Sequence, residues 1–367
     1  MQKKIHIVSF DVPFQPNYGG IMDVYLRARA LKQAGFYVVI HAFEYGRGKL
    51  EIDKTVCDEV FYYARKGTLS SLSGRPYIVN SRKNKQLLEH LLSADGSIIL
   101  EGQHCTSFVH QLEKAGKHFV IRMHNVEWQY YRELANRANT FFEKVYFRTE
   151  SRRLRRHEHH LYHSHLMCIS EEDEKYYRSK GVKTSLVHPP LFFDAVSTPD
   201  HVENYALFHG NLSVAENIDA VERILAELKT CRTEMSVVFA GKNPSNELVE
   251  AIENSGMSCV ANPSVDEIQL LISGAKIHLC IGFQKSGLKL KLLRALETGR
   301  PIIATLEILH GTGLEHFCVI WDGKTSLVET IEKTTHLGDD EVERRVIELK
   351  ALFSPKKYVD LVEGLLF

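Results

Sequence analysis

Short apolar segments alternate with amphipathic helical segments along almost the whole chain. Thirteen segments have the length and apolar content of buried strands, from Ile5–Phe10 and Tyr37–Phe43 to Ile302–Ala304 and Val319–Trp321. Helical segments lie between most of them. Nearly continuous apolar strands separated by helices are typical of parallel sheets that are covered on both faces. The alternation therefore predicts the α/β fold class, with Rossmann-like parallel sheets.

The alternation is interrupted once, between His188-Pro-Pro190 and about Glu203, where prolines break regular structure. The 367 residues are enough for two domains of ordinary size. We therefore expect one domain over residues 1–195 and a second over 196–352. Residues 353–367 have the pattern of a final amphipathic helix.

Composition excludes several functional classes. The chain has 46 basic and 46 acidic side chains and a formal net charge of zero, which gives no general support to nucleic-acid binding. No apolar run approaches the roughly 18 residues that a membrane span needs. Seven cysteines form no Cys-x-x-Cys motif, and the start of the chain does not have the pattern of a signal peptide. We expect a cytoplasmic protein.

A long polar segment from Val126 to His163 has a helical pattern and two interpretations. It carries the basic run Arg152-Arg-Leu-Arg-Arg156 and aromatic residues that include Phe141 and Phe142. It is either a solvated helix with many charge pairs or a basic, aromatic surface that makes peripheral contact with the inner face of an anionic membrane.

In open parallel sheets, ligands bind at the carboxyl ends of the strands, and in a two-domain protein the cleft between the domains is the expected site. Gly19-Gly20 follows the first strand and either approaches a ligand closely or forms a plain tight turn. It does not match Gly-x-Gly-x-x-Gly, so we expect no nicotinamide or flavin cofactor. His124 ends another strand, and Asn125 and Glu127 can either contact hydroxyl groups or, for Asn125, cap the next helix.

The segment from Gly287 to Ala304 predicts a helix that begins and ends near a glycine and leads through Pro301 into a strand. Lys289 and Lys291 fall in its first turns, where free backbone N–H groups already attract anions. This arrangement favours binding of a diphosphate. We expect no metal site, since His159 and His163 can share an ion but no third ligand is indicated.

Together these segments resemble the GT-B glycosyltransferases of family 4, also called glycosyl transferases group 1. The resemblance extends over nearly the whole chain, and the segment ending at Pro301 is its most specific part. The matching segments are Gly19-Gly20, Arg122-Met-His-Asn-Val-Glu127, Ile169-Ser-Glu-Glu-Asp173, Val187-His-Pro-Pro190, Phe208-His-Gly-Asn-Leu212 and Gly287-Leu-Lys-Leu-Lys-Leu-Leu-Arg-Ala-Leu-Glu-Thr-Gly-Arg-Pro301.

The resemblance implies two Rossmann-like domains facing a cleft, with the final helix crossing back to the N-terminal domain. It implies transfer of a hexose from a nucleotide-diphosphate sugar, with retention and without a metal or other cofactor, in polysaccharide or glycoconjugate biosynthesis. The acceptor is a glycan, a lipid-linked molecule or another hydroxyl compound. The implied site residues are His124 near the transferred sugar; Gly210, Asn211, Lys242, Asn262, Pro263, Gly287, Leu288, Lys289, Lys291 and Arg294 around the donor; and Gly19, Gly20, Asn125 and Glu127 near donor phosphate or acceptor.

Arg294 is the departure from the family pattern, which has a glutamate for the donor ribose at this position. Arginine has no hydrogen-bond acceptor and cannot make that bond. Three explanations stay open: Arg294 contacts a phosphate or carboxylate of an unusual donor, Glu297 or Glu307 contacts the ribose, or donor turnover has been lost. The last would make the protein a non-catalytic GT-B partner subunit or a glycan-binding protein, and a third alternative is a GT-B enzyme such as a sugar-nucleotide epimerase.

Overall fold

The computed structural model describes residues 2–16, 19–44, 48–67, 74–138, 140–193, 202–230, 234–283, 290–334 and 339–367. These residues form two compact units. The first unit contains Met1–Pro190 and Pro355–Phe367, and the second contains Leu191–Lys285 and Lys289–Ser354.

The first unit is built on a parallel sheet of seven strands in the order β3-β2-β1-β4-β5-β6-β7. The strands are β1 (Lys4–Ser9), β2 (Tyr37–Glu44), β3 (Glu59–Ala64), β4 (Ser97–Glu101), β5 (Phe119–Met123), β6 (Leu166–Cys168) and β7 (Thr184–Leu186). The helices around them are α1 (Gly19–Gln33), α2 (Tyr77–Asn80), α3 (Lys85–Ser93), α4 (Val109–Lys114), α5 (Glu127–Arg137), α6 (Phe141–Glu158) and α7 (Glu171–Arg178).

The second unit contains a parallel sheet of six strands in the order β10-β9-β8-β11-β12-β13. The strands are β8 (Glu203–Asn211), β9 (Ser236–Lys242), β10 (Ser258–Ala261), β11 (Ala275–Cys280), β12 (Ile302–Ala304) and β13 (Val319–Ile320). Its helices are α8 (Ala215–Thr230), α9 (Asn246–Glu253), α10 (Val265–Gly274), α11 (Leu290–Glu297), α12 (Leu306–Leu309), α13 (Leu327–Thr334) and α14 (Asp339–Phe353).

All thirteen predicted strands are present, and the predicted α/β class is confirmed. Each sheet has its own apolar core, in which the central strands are buried on both faces. Val8, Leu100 and Ile121 belong to the core of the first unit, and Phe208 and Leu279 to that of the second. Burial on both faces explains the continuous apolar runs in the sequence.

The predicted single helix from Val126 to His163 is wrong, because the chain forms two helices there. Ala138 has extended backbone angles after α5, and Thr140 begins α6 with a capping box. The Thr140 hydroxyl accepts from the Glu143 backbone N–H, and the Glu143 carboxylate accepts from the Thr140 backbone N–H. This reciprocal pair satisfies two N–H groups that a continuous helix would have bonded internally.

The last helix, α15 (Pro355–Leu366), packs within the first unit although it follows the second unit in the sequence. Its terminal carbonyl, Leu366 O, accepts from Ser97 Oγ at 2.8 Å and lies 2.7 Å from His118 Nδ1. Lys3 and Glu363 form an ion pair at the same end. These contacts attach the helix to the amino-terminal ends of β1, β4 and β5. None of the helices in the described ranges is both long enough and apolar enough to cross a membrane.

Candidate functional site

The first unit places five charged or titratable side chains together near the carboxyl ends of β4 and β5. Arg27 Nε donates to Asp23 Oδ2 at 2.9 Å, and Arg27 Nη2 donates to Glu101 Oε2 at 2.6 Å. Arg122 donates to both Asp23 oxygens, at 3.0 and 3.1 Å, and His124 Nε2 lies 3.0 Å from Glu101 Oε2. We call these five residues the buried charge network.

The carboxylates of the buried charge network are ionised because the arginines offset the cost of burial. Burial alone would raise the pKa of Asp23, but Arg122 and Arg27 lower it well below its usual range. Burial also opposes ionisation of Glu101, and Arg27 and His124 lower the Glu101 pKa below its usual value. The pKa of Arg27 is raised well above its usual value by these two carboxylates, against the effect of burial.

Asp23, Glu101 and His124 each offer a metal-ligand atom within a span of 4.8 Å. However, the guanidinium groups of Arg27 and Arg122 already donate to the two carboxylates. A divalent cation would have to replace these bonds and would then face two positive charges at close range. The donor set therefore suits a salt-bridge network better than a metal centre.

His124, the predicted catalytic residue, follows β5 directly and belongs to this network. Its side chain is largely buried, and the imidazole is perpendicular to the Phe10 ring, with the two ring centroids 5.3 Å apart. Its Nδ1 lies 4.0 Å from Asp23 Oδ2 while Nε2 faces Glu101. The imidazole is thus held between two carboxylates, which fixes its orientation at the carboxyl edge of the sheet.

Glu127 is the first residue of α5 and is buried beside His104, with Glu127 Oε1 3.9 Å from His104 Nδ1. Burial and the nearby Asp173 raise the pKa of Glu127 to about 8, although Arg82 opposes the shift. Burial and Arg82 lower the pKa of His104 well below its usual value. At neutral pH, Glu127 is therefore a protonated acid beside a neutral imidazole.

The structure excludes one of the two interpretations given for Asn125 and one of the two given for Gly19-Gly20. Asn125 does not cap α5, because Val126 occupies the N-cap position and no side chain bonds there. Gly19 and Gly20 are not a tight turn but the first two residues of α1. They lie at the end of the helix that carries Asp23 and Arg27, so this helix N-terminus adjoins the buried charge network.

In the second unit the carboxyl ends of β8 and β9 pair with each other, and the residue that follows β10 bonds to the end of β9. Gly210 pairs with Gly241 in the sheet, and Asn211 pairs with Lys242. A Cβ atom added at Gly241 would lie 1.8 Å from the carbonyl oxygen of Gly210, so only glycine permits this approach. The backbone N–H of Asn262 donates to Gly241 O at 2.8 Å.

Asn262 has a φ of +54° and accepts a hydrogen bond from the Asn243 backbone N–H through Oδ1, at 2.8 Å. The neighbouring Pro263 is buried, whereas Lys242 and Asn262 are exposed. The predicted donor residues Asn262 and Pro263 thus lie at the carboxyl edge of the sheet, beside the predicted donor residue Lys242.

Lys291 connects the start of α11 to this edge. Its Nζ donates to Ile281 O at 2.7 Å and to Asn217 Oδ1 at 3.3 Å, and it lies 4.6 Å from the centroid of the Phe208 ring. Asn217 Nδ2 in turn donates to Asn211 O at 2.9 Å. A buried ammonium group therefore lies between the first turn of α8 and the residue that follows β11. The predicted residues Gly287, Leu288 and Lys289 lie outside the described residues.

Arg294 lies on α11 next to Glu297 and His209. Its Nη1 is 3.4 Å from Glu297 Oε2, and the other Glu297 oxygen accepts from the backbone N–H of Phe192, also at 3.4 Å. Burial and the positive charges of Lys291 and Arg294, together with His278, lower the pKa of His209 to about 3. His209 Nε2 is buried and has no hydrogen-bond partner among the described residues.

Sequence reasoning missed Asp23 and Arg27, and it gave no role in the site to His209 and Asn217. Asp23 and Arg27 are four residues apart on the buried face of α1, and a charged i,i+4 pair on an apolar face is a signal that could have indicated them. The contact between Asn217 and Lys291 has no such signal, because it joins residues that are 74 positions apart.

Comparison with known proteins gives a family match in the second unit. Residues 203–334 match the family model described as Glycosyl transferases group 1. A curated relative from Klebsiella pneumoniae, named an uncharacterized 44.6 kDa protein in cps region, is 26% identical over 333 residues, which are 85% of each chain.

Solved structures match over nearly the whole chain. Sucrose-phosphate synthase from Thermosynechococcus elongatus has a TM-score of 0.68 and 14% identity, covering 99% of this chain and 98% of its own. Anabaena HepE in complex with UDP and glucose has a TM-score of 0.66 and 12% identity, covering 99% of both chains. A glycosyltransferase from Rickettsia africae has a TM-score of 0.66 and 15% identity, covering 99% of this chain and 98% of its own.

Proposed function

We propose that this chain, which has the fold of the GT-B glycosyltransferases, transfers a sugar from a nucleotide-diphosphate sugar to an acceptor hydroxyl. The match of residues 203–334 to the Glycosyl transferases group 1 model supports this proposal. We further propose that the sugar is a hexose, that anomeric configuration is retained and that no metal is needed. The name of the Klebsiella relative, which refers to a cps region, supports a role in polysaccharide biosynthesis.

The observation that carries the proposal is the position of Lys291. Its ammonium group lies at the N-terminal end of α11, against Asn217 Oδ1 in the first turn of α8 and against Ile281 O just after β11. A helix N-terminus and an ammonium group together neutralise a diphosphate, both in the bound donor and as it departs. Lys289 is proposed as a second diphosphate contact and Lys242 as a third.

The remaining donor contacts follow from the same edge of the sheet. Gly210 and Asn211 offer close backbone approach, and Asn262 and Pro263 are proposed to contact the base. HepE binds UDP and glucose, and this supports a uridine nucleotide as the first donor to test. Arg294 lies beside the buried imidazole of His209, and we propose that its guanidinium group contacts a negatively charged group of the donor.

In the first unit, we propose that His124 contacts the transferred sugar. Asp23 and Glu101 orient its ring, and Glu127, protonated at neutral pH, can donate a hydrogen bond to an acceptor oxygen. Gly19, Gly20 and Asn125 are proposed to line the acceptor or phosphate side of the site.

A second candidate function is a GT-B subunit that binds a partner or a glycan without turnover. Arg294 favours it, because Glu297, the nearest carboxylate on α11, is occupied by Arg294 and by the Phe192 backbone N–H. With both carboxylate oxygens in these contacts, Glu297 does not take over the role of the family glutamate.

Binding of nucleotides tests the proposal. We expect thermal shift and calorimetry to detect UDP or GDP and their sugars, and Lys291→Met to weaken diphosphate binding by at least about tenfold while leaving nucleoside binding nearly unchanged. Lys333→Met is the matched control, since Lys333 is an exposed lysine of the second unit paired with Glu329. Failure of every nucleotide diphosphate to bind would refute the donor site, and equal losses for diphosphate and nucleoside would reject the role of Lys291.

A further inference from the structure

The N-terminal turns of α6 expose large apolar side chains on an ordered helix. Phe142 and Phe141 are 85% and 76% exposed, the two highest values among large apolar side chains in the described ranges. Val145 and Tyr146 are also exposed, at 47% and 40%. The Thr140–Glu143 capping box anchors the start of the helix, so the two phenyl rings project from regular structure. Adjacent exposed apolar residues of this kind are typical of an interaction surface.

The rest of α6 is strongly basic on its exposed side. The helix contains six basic residues, namely Lys144, Arg148, Arg152, Arg153, Arg155 and Arg156, and three acidic ones. Two of the three acids, Glu150 and Glu158, are fully buried, and they bond to the Tyr77 backbone N–H and to three tyrosine hydroxyls respectively. The exposed charge of α6 is therefore positive, although the whole chain is neutral.

Helical geometry places both features on one face. Arg148, Arg152 and Arg156 follow Phe141 and Val145 at spacings that keep them within the same stripe of the helix surface. The stripe is apolar at its N-terminal end and cationic along the rest. Phe142 and Tyr146 lie beside this stripe, and we call the stripe and these two residues together the α6 surface: Phe141, Phe142, Val145, Tyr146, Arg148, Arg152 and Arg156.

We propose that the α6 surface docks on an anionic lipid bilayer. Aromatic and aliphatic side chains enter the boundary between headgroups and acyl chains, while arginines bond to the headgroup phosphates. A second copy of this chain is a poorer occupant, because a two-fold interface would place the arginine stripe opposite itself. A nucleic acid would match the charge but would leave Val145 and the exposed phenyl edges without apolar surroundings. The docking surface does not depend on the transfer reaction proposed above.

Vesicle flotation with the full chain tests this proposal. We expect binding to vesicles of phosphatidylcholine with about 30% phosphatidylglycerol, and at least about tenfold weaker binding to phosphatidylcholine alone. The variant Phe141→Ser/Phe142→Ser should weaken binding to the anionic vesicles at least about tenfold. The variant Arg148→Gln/Arg152→Gln should also weaken binding to the anionic vesicles. Vesicle binding by this variant should decline less between about 0.05 M and about 0.3 M salt than binding by the unchanged protein.

Leu270→Ser is the matched control, since Leu270 is a 70% exposed apolar residue on α10 in the second unit, and it should bind like the unchanged protein. Absence of binding to anionic vesicles, or equal binding by the double phenylalanine variant, would overturn the proposal. So would light scattering that shows a dimer abolished by that variant, or displacement from vesicles by single-stranded RNA. Because vesicle binding is read without any sugar donor, its failure is separate from failure of the glycosyltransferase proposal.

Discussion

Replacing Arg27 with methionine tests whether the buried charge network is held by compensating charges. The Arg27 guanidinium donates to Asp23 at 2.9 Å and to Glu101 at 2.6 Å, and all three side chains are inaccessible to solvent. Arg27→Met keeps most of the side-chain volume but leaves His124 as the one side-chain partner of the Glu101 carboxylate among the described residues. Loss of one member of a buried ion network costs about 3–5 kcal/mol, against about 0.5 kcal/mol for an exposed helical pair.

The assay is the free energy of unfolding from urea titrations, with Lys175→Met as the control. Lys175 is paired with Glu171 at 3.0 Å on the surface of α7, where both side chains are exposed. We expect Arg27→Met to lose at least about 3 kcal/mol at pH 7 and the control to lose less than about 1 kcal/mol.

The pH dependence gives a second, independent readout. In the unchanged protein the pKa of Glu101 is below its usual value, so its stabilisation is present at neutral pH and is lost as pH falls. Without Arg27, burial should raise the Glu101 pKa, and the carboxyl then takes up a proton in weak acid. The deficit of the variant should therefore shrink from pH 7 to pH 4. A deficit below about 1 kcal/mol at pH 7, or one that grows in acid, would refute this account.

Three further predictions concern backbone approach and proton linkage. Gly241→Ala should lower the free energy of unfolding by at least about 2 kcal/mol and weaken nucleotide binding, because the added Cβ would collide with the Gly210 carbonyl oxygen. Gly364→Ala on α15 places its Cβ in open space and should raise the free energy of unfolding by about 0.5–1 kcal/mol. Urea titrations of both variants measure these changes. Burial, and after it the neighbouring histidines, lower the pKa of His41 and of His209 to about 3. Because the unfolded chain takes up these protons below about pH 6.5 and the folded protein does not, each histidine should lower the free energy of unfolding by about 2 kcal/mol between neutral pH and pH 5. A lower urea midpoint at pH 5 measures this loss. Burial raises the Glu127 pKa to about 8, so the stability that Glu127 contributes declines as pH rises from 4.5 to 8. The free energy of unfolding of Glu127→Gln should therefore rise by at least about 1 kcal/mol relative to that of the unchanged protein between pH 5 and pH 8. Equal declines of the two proteins over this range would contradict the prediction.

The strands could be predicted because each is a buried run whose pattern is local. Ile5–Phe10 and Lys276–Ile281 are apolar on both faces, and the structure gives β1 and β11 nearly the same bounds. The break at Thr140 was also encoded locally, since Thr140 and Glu143 have the spacing of a capping box. The signal was overlooked because the polar helical pattern continues on both sides of Thr140, from Val126 to His163.

The side-chain partners in the site could not be predicted, because they depend on which strands and helices become neighbours. His124 and Lys291 were expected at strand and helix ends, and the structure places them there. Their partners Glu101 and Asn217 are 23 and 74 residues away in the sequence. Only the strand order brings β4 beside β5, and β8, with the start of α8 that follows it, beside β11.

Donor turnover tests the central claim most directly. The protein is incubated with UDP- and GDP-sugars and candidate glycan acceptors, and released nucleoside diphosphate and product mass are measured. The account predicts acceptor-dependent release of the diphosphate from at least one donor, with an addition of one sugar to the acceptor, and a loss of about a hundredfold or more in His124→Ala. Binding of the donor without release by the unchanged protein would contradict the account and favour a non-catalytic GT-B subunit.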